Sequence, residues 1–142
     1  MTFNFYVIML YFKFQYRHRK KEIPVQTMKE KNLCSRIRFI LSKYFNADPD
    51  FFDKLGYVAM WYLEYDEKCD EPFREIGIDS SGKIIVKMPD ERNYGYWLDT
   101  NCDLQFFKKF NIQMITEQEF NNLWNSVYYD RKKGELKPVH SF

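Results

Sequence analysis

Two runs that alternate apolar and polar residues, Phe73–Asp79 and Lys83–Met88, meet at Ser80-Ser81-Gly82. A period of two puts alternate side chains on opposite faces of a strand, and glycine supplies the left-handed backbone that a tight hairpin needs. The pair therefore predicts an antiparallel hairpin, and this commits the chain to a sheet whose apolar face must be covered. Tyr57–Tyr65, rich in aromatics with Val58 and Met60, predicts a well-buried strand before it. Asp66–Glu71 reads as a charged connection that ends at Pro72. After the polar turn Pro89–Asn93, Tyr94–Leu98 is a further strand candidate.

Helical signals flank this meander. From Met28 to Phe45, Leu33, Ile37, Ile40, Leu41, Tyr44 and Phe45 recur at three- and four-residue steps. Asp48-Pro49 reads as an N-cap with proline at the first helical position, opening a short helix that Gly56 closes in the left-handed region. Asp103–Phe110 predicts a short helix and Asn111–Ile115 a short extended piece. Thr116 and Glu119 then form a capping box, with Ile115 and Phe120 as its hydrophobic staple, and the helix continues through Leu123, Trp124 and Val127.

The N-terminal residues Phe12–Arg17 also alternate, so Thr2–Arg17 reads as an appended strand or arm in preference to a membrane-surface anchor. The expected architecture is α+β: a small antiparallel sheet of three to five strands with helices packed on one face. With 142 residues the expectation is one domain. Residues 1–27 form a strand or arm, 28–130 a globular body and 131–142 a polar C-terminal tail. A chain this long buries roughly two-thirds of its unfolded surface, so neither a metal nor a disulfide is needed to hold it.

The formal net charge of +2 is misleading, because it is unevenly spread. Lys13, Arg17, Arg19, Lys20 and Lys21 against Glu22 give the first 27 residues a local +4, which leaves residues 28–142 at −2. Three scattered cysteines, Cys34, Cys69 and Cys102, suit a reducing compartment better than a disulfide framework. The apolar run Met1–Phe12 precedes its positive charges, the reverse of a secretory signal, and is too short to cross a bilayer. The cytoplasm is the expected location.

Catalytic equipment is sparse. The two histidines, His18 and His140, lie in polar terminal segments without metal-ligand spacing. Walker and dinucleotide-binding glycine patterns are absent, and five glycines leave little material for a phosphate-cradling loop. The densest carboxylate group is Glu64, Asp66, Glu67, Asp70 and Glu71. Such a cluster could hold a hard cation, form an acid–base pair, line a solvated loop or present a negative docking surface. Lys68 in its midst and the missing EF-hand spacing weigh against the metal. Asp90, Glu91, Asp99 and Asp103 would extend a docking surface, and Tyr94 and Tyr96 would add contact rings. Tyr94-Gly95-Tyr96-Trp97 and Trp61-Tyr62 could instead stack on RNA bases, but their surroundings lack interleaved Lys and Arg and core packing is favoured.

Taken in order, Trp61, Glu71-Pro72, Glu75-Ile76, Ile78-Asp79, Gly82, Tyr94-Gly95, Ile115-Thr116, Glu119-Phe120 and Leu123-Trp124 resemble a pattern in small bacterial proteins of toxin–immunity loci. The resemblance spans roughly residues 57–125 and is to immunity proteins of contact-dependent growth inhibition and related polymorphic toxin systems. It implies a non-enzymatic protein without cofactor or metal that blocks one cognate toxin domain, often a nuclease, through an acidic face. Neither a small-molecule substrate, nucleic acid nor a membrane is the expected partner. Two rivals remain: a nucleic-acid-binding module that uses the basic N-terminal arm and exposed aromatics, and a hydrolase built on the carboxylate cluster.

Overall fold

The computed structural model describes residues 8–15, 54–88, 102–130 and 132–140. The expected helix of residues 28–45, the start of the Asp48-Pro49 helix and the strand Tyr94–Leu98 lie outside the described residues. Those residues build a five-stranded sheet from β1 (Met9–Gln15), β2 (Val58–Asp66), β3 (Glu71–Asp79), β4 (Ile84–Met88) and β5 (Gln113–Met114). Its order is β4-β3-β2-β1-β5, and every neighbouring pair is antiparallel. Two helices, α1 (Leu104–Lys108) and α2 (Glu117–Asn125), precede the hairpin of β6 (Val127–Asp130) and β7 (Glu135–Pro138).

The N-terminal alternation is no appendage. β1 pairs with β2 from Met9↔Asp66 to Gln15↔Met60, and with β5 at Phe12↔Met114 and Lys13↔Gln113. The first described strand of the chain is therefore inserted between β2 and β5. Phe12 is completely buried, and Phe14 nearly so.

Alternation sorts the sheet residues between two cores. Phe12 and Phe14 of β1, Trp61, Leu63 and Tyr65 of β2, and Val86 and Met88 of β4 pack with Cys102 and Phe107. The intervening Tyr11 of β1, Tyr62 of β2 and Ile76 of β3 pack with Phe120, Leu123 and Trp124 of α2 and with Leu136 of β7. Neighbouring residues of one strand point to opposite faces, so α1 and α2 cover opposite sides of the sheet. The expected placement of helices on one face is corrected accordingly. With both faces covered, β2 is apolar almost throughout, as a doubly buried strand must be.

The hairpin expected at Gly82 forms, with φ of +86° at the glycine and Asp79 accepting from the Lys83 amide at 3.0 Å. The capping box supplies its first half, Thr116 Oγ1 accepting from the Glu119 amide at 3.1 Å. The Glu119 carboxylate accepts from Lys13 Nζ of β1 at 3.4 Å, tying α2 to the sheet. Gly56 does not close a helix in the left-handed region: it lies inside a single 3-10 turn, Leu55–Tyr57, and the positive-φ glycines among the described residues are Gly82 and Gly134. The last helix ends at Asn125, two residues before Val127, which begins β6. The polar C-terminal tail is likewise corrected, since it contains β7, whose Leu136 is buried.

Gly77 of β3 faces the first core at a point with no room for a side chain. A Cβ there would meet Val58 Cγ2 at 2.9 Å, Val86 Cβ at 3.1 Å and Trp61 Cζ3 at 3.3 Å. Two of these neighbours are stiff β-branched side chains on flanking strands and cannot swing aside. Gly77→Ala is therefore expected to destabilise the fold by about 1–3 kcal/mol through overpacking, read as a lower urea midpoint.

Candidate docking surface at the acidic end of the sheet

The connection from β2 to β3 carries most of the expected docking carboxylates. Asp66 Oδ1 accepts from the amides of Lys68 at 2.9 Å and Cys69 at 3.2 Å, the side-chain-to-backbone bonding that makes aspartate a turn former. Asp70 takes a left-handed φ of 55°, and its carboxylate accepts from the Tyr65 hydroxyl. The Tyr65 oxygen also receives the Leu104 amide at the start of α1, and Asp103 lies near enough to act on it electrostatically. Asp103 caps α1 by accepting from the Phe106 amide at 3.0 Å. One buried phenol thus ties the β2–β3 turn to the helix on that face.

The turn exposes Glu67, Lys68 and Asp70, with Asp66 and Asp103 half-buried beside them. Two apolar residues are exposed at the same end of the sheet. The Glu67 amide donates to Ile8 O at 3.3 Å, and Ile8 is 56% exposed. Phe73, at the irregularity in the β2–β3 pairing, is 40% exposed. Turn, phenol and cap together present a negative, partly apolar edge.

Glu64 and Glu71 do not belong to that edge, which corrects the sequence expectation: both are buried, at 3% and 1% exposed. Glu64 faces the second core, where Arg74 of β3 holds it in a fork, Nε to Oε1 at 3.0 Å and Nη2 to Oε2 at 2.5 Å. Arg74 Nη2 also donates to Asn121 Oδ1 at 2.8 Å, and its guanidinium lies 4.9 Å from the ring centres of both Phe120 and Trp124. The Tyr11 hydroxyl hydrogen-bonds to Glu64 from β1. Lys87 Nζ sits 4.4 Å from the Trp124 ring and donates to Trp124 O at 2.7 Å and Val127 O at 3.1 Å, satisfying one carbonyl in the last turn of α2 and one at the start of β6. Glu64 therefore braces α2 against the sheet and is spent on the fold.

The remaining expected contact residues, Asp90, Glu91, Tyr94, Tyr96 and Asp99, lie outside the described residues. Sequence reasoning missed Arg74, Tyr65 and Tyr11. A signal existed for the first: a lone arginine in an alternating strand opposite a glutamate is a cross-strand ion pair once the register is known. Among the described residues no group of three His, Cys, Asp or Glu side chains could hold a metal ion, and no helix is long and apolar enough to cross a membrane.

Burial, and next the hydrogen bond to Asp70, hold the Tyr65 phenol above its ordinary range, and burial followed by the Glu64 bond does the same for Tyr11. A phenol that stays protonated longer in the folded state than in the unfolded one stabilises the fold below the unfolded value of about 10, and that contribution is lost as pH rises further. Tyr65→Phe is expected to cost about 1 kcal/mol at pH 7. It should also flatten the fall in stability above about pH 10 relative to the parent chain, as chemical denaturation at stepped pH would show.

No protein-family model matches the chain, and neither a curated protein nor a solved structure does. What the fold itself defines is a small α+β unit built mostly of antiparallel sheet.

Proposed function

We propose that this protein neutralises a bacterial toxin domain, a nuclease with a basic surface, by binding it through the acidic end of the sheet in the cytoplasm of the producing cell. It acts as a binder rather than an enzyme and uses no cofactor. The observation that carries the reading is the braced β2–β3 turn, which displays Glu67 and Asp70 beside Asp66, Asp103 and the exposed Ile8 and Phe73.

Three physical points support it. The turn is held by its own hydrogen bonds and by Tyr65, so little ordering entropy would be lost on docking. A negative rim accelerates encounter with a basic partner, and a nuclease surface that grips phosphates is basic. The exposed apolar side chains give the centre of a contact something to bury. The resemblance to immunity proteins across residues 57–125 agrees with this in kind.

The test is co-expression with the toxin encoded immediately upstream. The protein is expected to co-purify with that toxin and to protect cells from it. Absence of both would refute the proposal.

A further inference from the structure

The end of the sheet opposite the acidic turn has the other sign. Three loops meet there. Lys54 precedes the 3-10 turn Leu55–Tyr57 that leads into β2, and Lys83 closes the β3–β4 hairpin. Lys132 and Lys133 lie in the β6–β7 turn, directly before Gly134 and Glu135. A groove lined by Lys54, Lys83, Ile84, Ile85, Glu135 and Leu136 joins the three loops. Lys83, Lys132 and Lys133 are exposed, and Tyr57 beside Lys54 is 74% exposed, the largest exposure among the big hydrophobic side chains of the described residues.

We infer that this lysine-lined end binds single-stranded nucleic acid, with Tyr57 as a stacking platform and the four lysines along the phosphates. Among the described residues, three carboxylates stand near the lysines. Asp79 is held ionised by bonds from the Ser81 hydroxyl, the Lys83 amide and the Ser81 amide, and Glu135 lines the groove. Asp130 is matched by Lys137 at 2.6 Å. Among the described residues, four lysines against Asp79 and Glu135 leave a local +2. That is enough to attract a polyanion at low salt and too little to hold it at high salt.

The chemistry of the groove favours nucleic acid over an acidic peptide. Ile84 and Leu136 are only 7% and 8% exposed, so its floor offers a peptide little apolar area. An exposed ring next to a lysine-bearing groove is instead the combination that holds unpaired bases and their backbone. A duplex hides its base faces from such a ring, so the strand must be single. The inference uses a different surface from the toxin-binding proposal and stands or falls separately.

Fluorescence anisotropy with a labelled oligothymidylate of about 12 nucleotides tests it on the full chain. Saturable binding is expected at about 50 mM salt and its near loss by about 200 mM. Tyr57→Ala should weaken binding about fivefold or more. Lys83→Glu with Lys133→Glu should abolish it, while Arg17→Gln, Arg19→Gln, Lys20→Gln and Lys21→Gln together should leave it in place. All these substitutions are at exposed or terminal positions, and a thermal melt of each variant confirms that it is folded. No binding at low salt would overturn the inference, as would binding that survives the Lys83 and Lys133 reversals or is lost with the N-terminal charges. Equal affinity for a labelled polyglutamate would overturn it too, pointing to an acidic-peptide groove.

Discussion

Arg74→Ala is expected to lower stability by about 3–5 kcal/mol, among the largest losses any single substitution in this protein would cause. The cost comes less from the bonds removed than from what stays behind. Glu64 is 3% exposed and would lose both bonds of the guanidinium fork while keeping the Tyr11 hydroxyl beside it. The guanidinium contacts with Phe120 and Trp124 would go as well, worth about 0.5–2 kcal/mol where desolvated. Urea denaturation measures the loss, and a second variant separates its causes. Adding Glu64→Gln to Arg74→Ala should recover part of the stability, because the stranded charge is gone.

The second large effect belongs to the other face. Phe107 of α1 is fully buried, with ring centres 5.7 Å from Phe12, 5.7 Å from Phe14, 6.1 Å from Tyr65 and 5.4 Å from Phe106. Phe107→Ala is expected to cost about 3–5 kcal/mol, the transfer of a ring plus the cavity it leaves among four others. The effect should also be local in a telling way. α1 holds the β2–β3 turn through Leu104 and Tyr65, so amide exchange at Cys69 and Asp70 should speed up more than exchange in α2, which packs on the opposite core.

These two residues mark where the sequence was readable and where it was not. The Gly82 hairpin and the Thr116 cap were legible because each is a short-range device: a few residues carry the whole geometric requirement. The place of β1 was not, because joining β2 across more than forty residues depends on long-range pairing that no local pattern encodes. β7 escaped for a different reason. Glu135-Leu136-Lys137-Pro138 offers a single apolar residue, too little alternation to separate a strand from a polar tail. The helices on opposite faces follow from the double burial of β2, which the aromatic run Tyr57–Tyr65 announced without saying what covered each side.

The candidate site divides the same way. Counting carboxylates located the acidic turn, yet the count could not tell Glu67 from Glu64. The distinction rests on strand parity: Glu64 lies in β2 opposite Arg74, within the second core, whereas Glu67 has left the strand and faces solvent. The phenol that braces the turn was equally invisible, since Tyr65 reads as one more core aromatic until Asp70 and Leu104 are brought to its oxygen.

The central claim is that the acidic end receives a basic toxin surface, and stopped-flow association of the protein with the upstream-encoded toxin tests it most directly. Glu67→Lys reverses an exposed charge that the fold does not use and should slow association at low salt on the order of tenfold, with a much smaller change in dissociation. Lys83→Glu, at the opposite end of the sheet, should leave the association rate no slower than that of the parent chain. An association rate unchanged by Glu67→Lys, or slowed only by Lys83→Glu, would contradict the account.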